Sequence, residues 1–308
     1  MSHLFILNEA SMTDVLGQHV ASVEATGRQQ WQVHVGGGAD LDASLRIERG
    51  WLRAFAGLEI DGSREATDLA GGISDDRLHA MLAANTRLAG GVKFVLADDP
   101  PTPRLAAEIP LVADEYFELD ERIGQLCRGL RQGALEWHNP VAVSEKRARE
   151  LRRSAPAAES ESRFEDVCRE SGWAISRRAS GRFTVRLRIR EAFYEALVEP
   201  DEEGCRLCVA LGQSVPEVDV CRRAAEVLLL SACGVVRMAV ATVVPGGTAR
   251  QYRWEAALAA ASLPREWDHA LSALTTACQT TAVELAALED PLLAETYLQL
   301  RGMGGISP

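Results

Sequence analysis

The clearest strand pattern in the sequence is the stretch of residues 183–190, which reads Phe-Thr-Val-Arg-Leu-Arg-Ile-Arg. Apolar residues alternate with polar ones throughout it, as they do when a β-strand buries one face and exposes the other. Arg186, Arg188 and Arg190 fall on the polar face, and Arg182 precedes the run. The stretch therefore predicts a strand in a sheet that is covered on one side.

A related pattern lies earlier in the chain, at an offset of 142 positions. With this offset Leu45–Ile47 falls on Leu187–Ile189, both reading Leu-Arg-Ile, and Trp31 falls on Trp173. Internal similarity at a fixed offset is typical of a duplicated structural unit. The sequence therefore predicts two tandem copies of one α+β domain, each with an antiparallel sheet, arranged as a pseudo-dimer.

Both copies predict the same order of elements: a short helix, three strands, a helix, two strands and a long helix. The run Cys205–Gly212 is a candidate for an additional strand in the second copy. The opening helices are expected at Thr13–Ala25 and Arg163–Ser171. The strands of the first copy are expected at Gln30–Val35, Ala43–Ile47, Trp51–Glu59, Val92–Leu96 and Arg104–Ile109, and those of the second at Trp173–Arg177, Phe183–Ile189, Phe193–Val198, Val235–Val243 and Tyr252–Leu258.

The middle helices are predicted at Asp75–Leu88 and Glu217–Ala232, the latter opened by a capping box at Ser214–Glu217. The second helix ends in an almost wholly apolar run, and such a helix is buried on more than one side. It is either a well-covered core helix or a helix that also packs against the other copy. In the second case we expect the copies to meet through Leu78, Leu82, Leu228 and Leu230.

The closing helices carry apolar residues at three- and four-residue steps, so each should lay one stripe on its sheet. The stripes are Tyr116, Leu119, Ile123, Leu126, Leu130, Ala134 and Trp137 in the first copy, and Trp267, Leu271, Leu274, Cys278, Leu285 and Leu288 in the second. The domains are expected at 1–139 and 163–301, joined by a linker at 140–162 and followed by a frayed tail at 302–308. We expect a monomer whose two copies pair within the chain.

Charge and composition restrict the partners and the compartment. The net charge of −11 disfavours nucleic acid and anionic membranes, and no apolar stretch is long enough to span a bilayer. The residues up to Asn8 lack the charged and long apolar regions of a signal peptide. Seven cysteines, mostly at apolar positions, suit buried free thiols in a reducing compartment. We therefore expect a cytoplasmic protein that does not insert into membranes.

The sequence contains no phosphate-binding loop, nucleophile elbow or metalloprotease motif. Its six histidines fall singly on different elements, and the only Cys-x-x-Cys pair, Cys205 and Cys208, has no second pair to complete a zinc site. These thiols are interpreted as structural, with a redox or metal role as the alternative. We therefore expect no catalytic residues, no metal and no cofactor.

The arginines of the opening stretch form the one basic cluster of an acidic chain. Arg182, Arg186, Arg188 and Arg190 are candidates for contact with an acidic partner segment. The alternative is an outward sheet face whose charges are balanced by acids of the next strand, such as Glu195. Four aromatic residues are interpreted as core residues, with peptide stacking as the alternative: Trp31, Trp51, Trp173 and Phe193.

The element order, the two Leu-Arg-Ile strands and the long closing helices resemble those of the class I type III secretion chaperones and the related Tir-chaperone and YbjN-like group. The resemblance spans nearly the whole chain, once per copy. It implies a fused pseudo-dimer that holds an extended segment of a client protein, such as a secreted effector. Members of this group are usually single domains that pair as homodimers, whereas this chain carries both copies.

Two functions remain open at this point, besides a third possibility, a degenerate and purely structural partner within an assembly. The first is a non-catalytic, chaperone-like module that binds an extended protein segment by adding it as a strand to an exposed sheet edge, with pockets for alternate side chains. The second is a small-molecule-binding enzyme or sensor with a site between the two domains. A chaperone should present apolar grooves and free strand edges on its outer faces, whereas an enzyme should present a deep cleft with several converging polar residues and shifted pKa values.

Overall fold

The computed structural model describes residues 9–37, 40–58, 73–88, 91–97, 101–111, 116–138, 165–177, 183–189, 191–200, 204–246, 249–259 and 264–303. The fold is α+β and contains two six-stranded antiparallel sheets. None of the helices in these residues is long and apolar enough to cross a membrane.

The first half of the chain begins with a helix and four consecutive strands, followed by a helix, two strands and a long helix. Its elements are α1 (Glu9–His19), β1 (Ser22–Gly27), β2 (Gln30–Val35), β3 (Leu41–Glu48), β4 (Trp51–Gly57), α2 (Asp75–Asn85), β5 (Val92–Ala97), β6 (Thr102–Pro110) and α3 (Tyr116–His138).

The second half has the same order of elements and one further helix at its end. Its elements are α4 (165–170), β7 (Ile175–Arg177), β8 (Phe183–Ile189), β9 (Ala192–Pro200), β10 (Gly204–Ser214), α5 (Asp219–Val235), β11 (Val240–Gly246), β12 (Ala249–Ala259), α6 (Pro264–Ala287) and α7 (Pro291–Leu300).

The strands of both sheets are connected in the same way. The spatial order is β1-β2-β3-β4-β6-β5 in the first sheet and β7-β8-β9-β10-β12-β11 in the second. In each sheet the first four strands form a meander, and the chain then passes through a helix. The fifth strand along the chain forms the edge of the sheet, and the sixth lies between that edge strand and the meander. Strands β5 and β11 therefore occupy equivalent edges.

The predicted run of three strands is one strand too short. The 142-residue offset is also wrong, because it aligns strands that are not equivalent. Each half has four strands before its middle helix. In the first half the additional strand is β1, which occupies residues that were assigned to the opening helix. In the second half the candidate strand at Cys205–Gly212 is confirmed as β10. Leu45–Ile47 lies on β3, the third strand of its meander, whereas Leu187–Ile189 lies on β8, the second. The Leu-Arg-Ile match is thus a coincidence of alternation, since every half-buried strand shows that period.

Two boundaries in the second half also differ from prediction. The capping box at Ser214–Glu217 does not open the helix: α5 begins at Asp219, with Val218 at the N-cap and no capping side chain. At its other end α5 continues to Val235, which was assigned to a strand. Met238 has a positive φ of 59°, and the strand begins only after this turn, at Val240.

The apolar patterns read from the sequence are confirmed where the side chains are described. The stripes of α3 and α6 are buried from Leu119 to Trp137 and from Trp267 to Leu288, and the apolar face of β8 is buried. Leu78, Leu82, Leu228 and Leu230 are also buried. The side chain of Tyr116 and the predicted linker at 140–162 lie outside the described residues.

The predicted fraying of the tail is wrong at its start. Gly302 and Met303 continue the chain after α7, and Met303 is buried. Its amide N–H donates to the Leu298 carbonyl oxygen at 2.8 Å. Residues 304–308 are not among the described residues.

The two halves pack together through a reciprocal exchange of helices. Helix α5 of the second half lies against β5 of the first, and α2 of the first half lies against β11 of the second. The two helices also contact one another. Whether the four predicted leucines carry this contact stays a prediction, but the packing of the halves is a feature of the structure.

Buried polar groups hold this interface in register. The Asn85 side-chain oxygen accepts the Phe94 amide N–H at 2.7 Å, and its nitrogen donates to the Ala241 carbonyl oxygen of the other half at 3.1 Å. Buried Lys93 donates to the carbonyl oxygens of Val236 at 2.6 Å and Ala239 at 3.3 Å. Because a buried donor or acceptor without a partner is costly, these bonds fix how the halves meet.

Asn85→Leu tests this role, because leucine has a similar size but leaves the Phe94 N–H and the Ala241 carbonyl without their side-chain partner. We expect a loss of about 2–4 kcal/mol in the free energy of unfolding, measured by urea denaturation. The control is Gln32→Leu, which removes only an exposed bond to Ser44 and should change stability by less than about 0.5 kcal/mol. Equal losses in both variants would contradict the assignment.

Candidate functional site

A groove of about 880 Å³ lies where the two halves meet. Trp51, Leu96 and Ala97 of the first half line one side. The rest of the lining comes from the second half, from the end of α5, the turn that follows it, and helices α6 and α7. The first half therefore completes a groove that is formed mostly by the second half.

The mouth of the groove carries an aromatic and cationic wall. Trp51, the first residue of β4, is half-buried, and its ring meets that of His269 edge-on at 5.8 Å. The Arg237 guanidinium lies 5.6 Å from the centre of the Trp51 ring. Arg237 is also 3.7 Å from the carboxylate of Glu108, which Arg53 approaches more closely, at 2.7 Å. Such a wall can stack against a planar or apolar group of a ligand.

One face of α6 presents a row of hydroxyl groups to the groove. Ser272, Thr276 and Thr280 follow each other at four-residue steps and are exposed. The Thr276 and Thr280 hydroxyls donate back to carbonyl oxygens of the helix at 2.9 and 3.0 Å, so their oxygens remain available as acceptors. Glu284, one further step along, also lines the groove.

Helix α7 forms the far side of the groove through Tyr297 and Arg301. Arg301 donates to the Ser231 hydroxyl at 3.2 Å. Burial raises the pKa of the Tyr297 hydroxyl, the nearby Glu284 adds to this effect, and Arg301 opposes it. The tyrosine hydroxyl is therefore a neutral hydrogen-bonding group at physiological pH.

A second polar cluster ties the halves together on another part of the interface. His79 of α2 meets the buried carboxylate of Glu226 at 2.7 Å through Nδ1, and Arg250 of β12 at 2.6 Å through Nε2. Arginine only donates, so His79 Nε2 accepts and its proton sits on Nδ1. The Tyr252 hydroxyl is buried next to Glu226, which together with burial raises the pKa of this tyrosine. The cluster lines no cavity described here and holds α2 against the second half.

The two predicted partner-binding arginines that the structure describes lie away from the groove. Arg186 and Arg188 are exposed on β8, while Arg182 and Arg190 lie outside the described side chains. Arg186 stands opposite Glu195 in the neighbouring strand and 5.6 Å from the Phe193 ring centre. These contacts favour the alternative interpretation of a charge-balanced outer face, while the partner-binding role stays a prediction.

The interpretation of the four aromatic residues as core is confirmed for Trp31 and also fits Trp173, which packs against the core although it is only partly buried. Trp31 is buried, whereas Phe193 is 63% exposed. Trp51 and Trp173 are half-buried, and the Trp173 ring N–H donates to Asp268 at 2.7 Å. The position of a residue within a strand does not reveal whether another layer covers that end of the strand. This is why the sequence alone did not predict the exposure of Trp51 and Phe193.

Cys205 and Cys208 are buried free thiols on β10. Burial raises the pKa of Cys208, and the neighbouring Glu255 contributes in the same direction, so this thiol is a poor nucleophile. Within the described part of the chain no group of three or more His, Cys, Asp or Glu side chains is arranged to hold a metal ion.

Sequence reasoning did not find the groove. Its residues come from positions more than 200 apart, such as Trp51 and His269. One signal was present: Ser272, Thr276, Thr280 and Glu284 form a polar row at four-residue steps on α6, opposite its apolar stripe. A solvent-facing helix side is normally polar, so the row did not stand out.

The buried glutamate of the second cluster predicts a pH dependence. Burial raises the pKa of Glu226 above its ordinary value of 4.5, although His79 opposes this. The folded protein then holds the proton more tightly than the unfolded chain, so stability from this group is full below pH 4.5 and is lost as pH rises through the folded pKa. We expect the free energy of unfolding of the wild type to fall more between about pH 4.5 and 7.5 than that of Glu226→Gln, measured by urea denaturation.

The control for this measurement is Glu217→Gln, at an exposed position just before α5. It should follow the wild-type pH profile. Parallel profiles for the wild type and Glu226→Gln would contradict the prediction.

Comparison of the chain with protein-family models, with curated proteins and with solved structures finds no match. The function is therefore argued from the geometry of the groove and its surroundings.

Proposed function

We propose that this protein is a non-catalytic binding module that holds an extended segment of a client protein in the groove between its halves. The observation that carries the proposal is the groove itself, which is open along the exposed hydroxyl row of α6. An open trough suits a chain that runs through it, whereas an enclosed cavity suits a small molecule.

The lining supports binding that tolerates different sequences. Leu96, Leu228 and Val236 provide apolar contact, and Trp51 provides a stacking surface. The hydroxyl oxygens of α6 can accept hydrogen bonds from the backbone N–H groups of an extended segment. The free edge of the first sheet, strand β1, is mostly exposed and is a second place where an extended segment could add.

We further infer that the two halves are copies of one domain. Their strand orders agree, and matching side chains make matching bonds. Asn85 at the end of α2 accepts the amide N–H of Phe94 in β5, and Cys233 near the end of α5 accepts that of Ala241 in β11. Together with the exchanged packing of α2 and α5, this supports an intramolecular pseudo-dimer.

A chaperone role in type III secretion is supported only by the resemblance of element order. The four-strand meander departs from the three-strand order on which that resemblance was based. The proposal for a client segment therefore depends on the groove and not on the resemblance. A cytoplasmic location is supported by seven buried free cysteines, which persist as thiols in a reducing compartment.

A small-molecule-binding enzyme or sensor is the second candidate. It is favoured by one observation, the groove volume of about 880 Å³, which lies within the range of small-molecule sites. The lining is shared between the halves, as that hypothesis requires. The two candidates differ in the ligand that competes for the groove.

Thr276→Trp separates the candidates by filling the groove from an exposed helix position. Labelled protein is incubated with an array of random fifteen-residue peptides. We expect the wild type to bind a subset of them and Thr276→Trp to lose at least about tenfold in affinity, because the indole occupies the space of the segment. The matched control, Gln279→Trp, places the same side chain on an exposed α6 position outside the groove and should bind as the wild type does.

Peptide binding that Thr276→Trp leaves unchanged would contradict the groove as the site. If the protein binds no peptide but shows Thr276→Trp-sensitive thermal shifts with small metabolites, the second candidate is correct.

The pseudo-dimer predicts that the halves stay together without a covalent link. A protease site is inserted between residues 140 and 162 and cut in the folded protein. Because the halves share buried contacts on both edges, we expect the fragments to co-elute in gel filtration at micromolar concentration, at the position of the uncut control. Separate elution of two folded fragments would contradict the pairing.

A further inference from the structure

The closing helices of the two halves can be aligned residue by residue through their contacts with the sheets. Leu105 of β6 pairs with Phe94, and Trp254 of β12 pairs with Ala241. These two residues therefore hold equivalent places in their sheets. Each lies against its closing helix: a Cβ placed on Gly133 would come within 2.6 Å of the Leu105 side chain, and Thr281 accepts the Trp254 ring N–H at 3.1 Å. Residues 133 and 281 are thus equivalent.

In the first half an ion pair closes the contact between the middle and the closing helix. Arg87, two residues after Asn85, donates from Nε and Nη2 to the two carboxylate oxygens of Glu136 at 3.0 and 2.8 Å. Glu136, three residues after Gly133, is buried. Gln132 also donates to the Arg87 carbonyl oxygen at 3.1 Å. The long side chains fill this corner of the first half.

In the second half the equivalent region, between the end of α5 and helix α6, forms part of the groove. The counterpart of Arg87, two residues after Cys233, is Val235, whose side chain is 84% exposed. The counterpart of Glu136, three residues after Thr281, is Glu284, which lines the groove and is exposed. No cation lies within ion-pair distance of Glu284 among the described residues. The second half therefore has the acid of this pair without the arginine.

We propose that the groove binds a basic side chain of an otherwise apolar client segment, with Glu284 as the partner of its guanidinium or ammonium group. The cation of the client then occupies the place that Arg87 occupies in the first half, and its hydrocarbon stem lies on Val235 and Leu228. The inference rests on the proposed function of the groove and names the chemistry of its ligand. A charge-assisted, bidentate bond of this kind is among the stronger contacts a surface can offer.

Two arginines in the same groove define the competing ligand. Arg237 lies 3.7 Å from Glu108, a carboxylate that it shares with Arg53 at 2.7 Å, and stacks on Trp51. Arg301 donates to Ser231 and has no acid within ion-pair distance among the described residues. An acidic segment would therefore bind at Arg301. The first half favours a basic ligand over an acidic one, because there the Arg87 guanidinium is bound to Glu136, the residue equivalent to Glu284.

The equivalence of the two corners is tested without any ligand by Val235→Arg. The new guanidinium should reach Glu284 as Arg87 reaches Glu136, and should raise Tm by about 2 °C relative to the double variant V235R/E284Q. The control Val218→Arg, at an exposed valine before α5, should give the same Tm with or without Glu284→Gln. Equal Tm values for V235R and V235R/E284Q would overturn the assignment of Glu284.

The ligand chemistry is tested with three fluorescein-labelled apolar decapeptides that differ only in a central arginine, citrulline or glutamate. Citrulline has the shape of arginine without its charge. By fluorescence anisotropy we expect the arginine peptide to bind the wild type about tenfold more tightly than the citrulline peptide. This ratio should fall to about one in Glu284→Gln, and Val235→Arg should weaken binding of the arginine peptide.

Equal binding of the arginine and citrulline peptides, or a ratio unchanged in Glu284→Gln, would overturn the inference while leaving the groove as a peptide site. Tighter binding of the glutamate peptide would overturn it in favour of Arg301. Failure of all three peptides to bind would overturn the inference together with the proposed function of the groove.

Discussion

Helix α5 lies on the edge strand of the first sheet, and helix α2 lies on the edge strand of the second. Most features of this molecule depend on that exchange. An edge strand presents apolar side chains and unpaired backbone groups, and native proteins cover such edges to prevent association with other chains. Here each half covers the edge of the other. The exchange also explains why the run Val227–Leu230 of α5 is wholly apolar and buried: this part of the helix faces its own half and the neighbouring one.

Polar side chains within this interface select one arrangement of the halves. Asn85 bonds to both β5 and β11, and Lys93 reaches two carbonyl oxygens after α5. Apolar surfaces alone would allow the halves to slide, since hydrophobic contact has no direction. A displacement by one residue would leave these buried groups without partners, at a cost of about 1–3 kcal/mol for each. The groove keeps its shape for the same reason.

The groove arises where the two halves differ. Arg87 and Gln132 close the corner between α2 and α3, whereas Val235 and Thr280 leave the equivalent corner open. Helix α7 then adds a wall, with Tyr297 and Arg301, for which the described part of the first half has no counterpart. Two halves with the same strand order thus differ in that only the second is open at this corner.

The sequence by itself determined the α+β class, the apolar stripes of the closing helices and the buried face of β8, because each depends on neighbours within a few residues along the chain. It also indicated that the chain divides into two similar halves, although through a register that the strand order corrects. Tertiary structure alone decided the rest. A strand with period two fits any half-buried position in a sheet, so alternation cannot distinguish β8 from β9 as the equivalent of β3. The groove joins Trp51 to His269, and the ion pair of Arg87 has no counterpart at Val235. These facts depend on which residues meet across the interface, and a single sequence does not encode them in any local pattern.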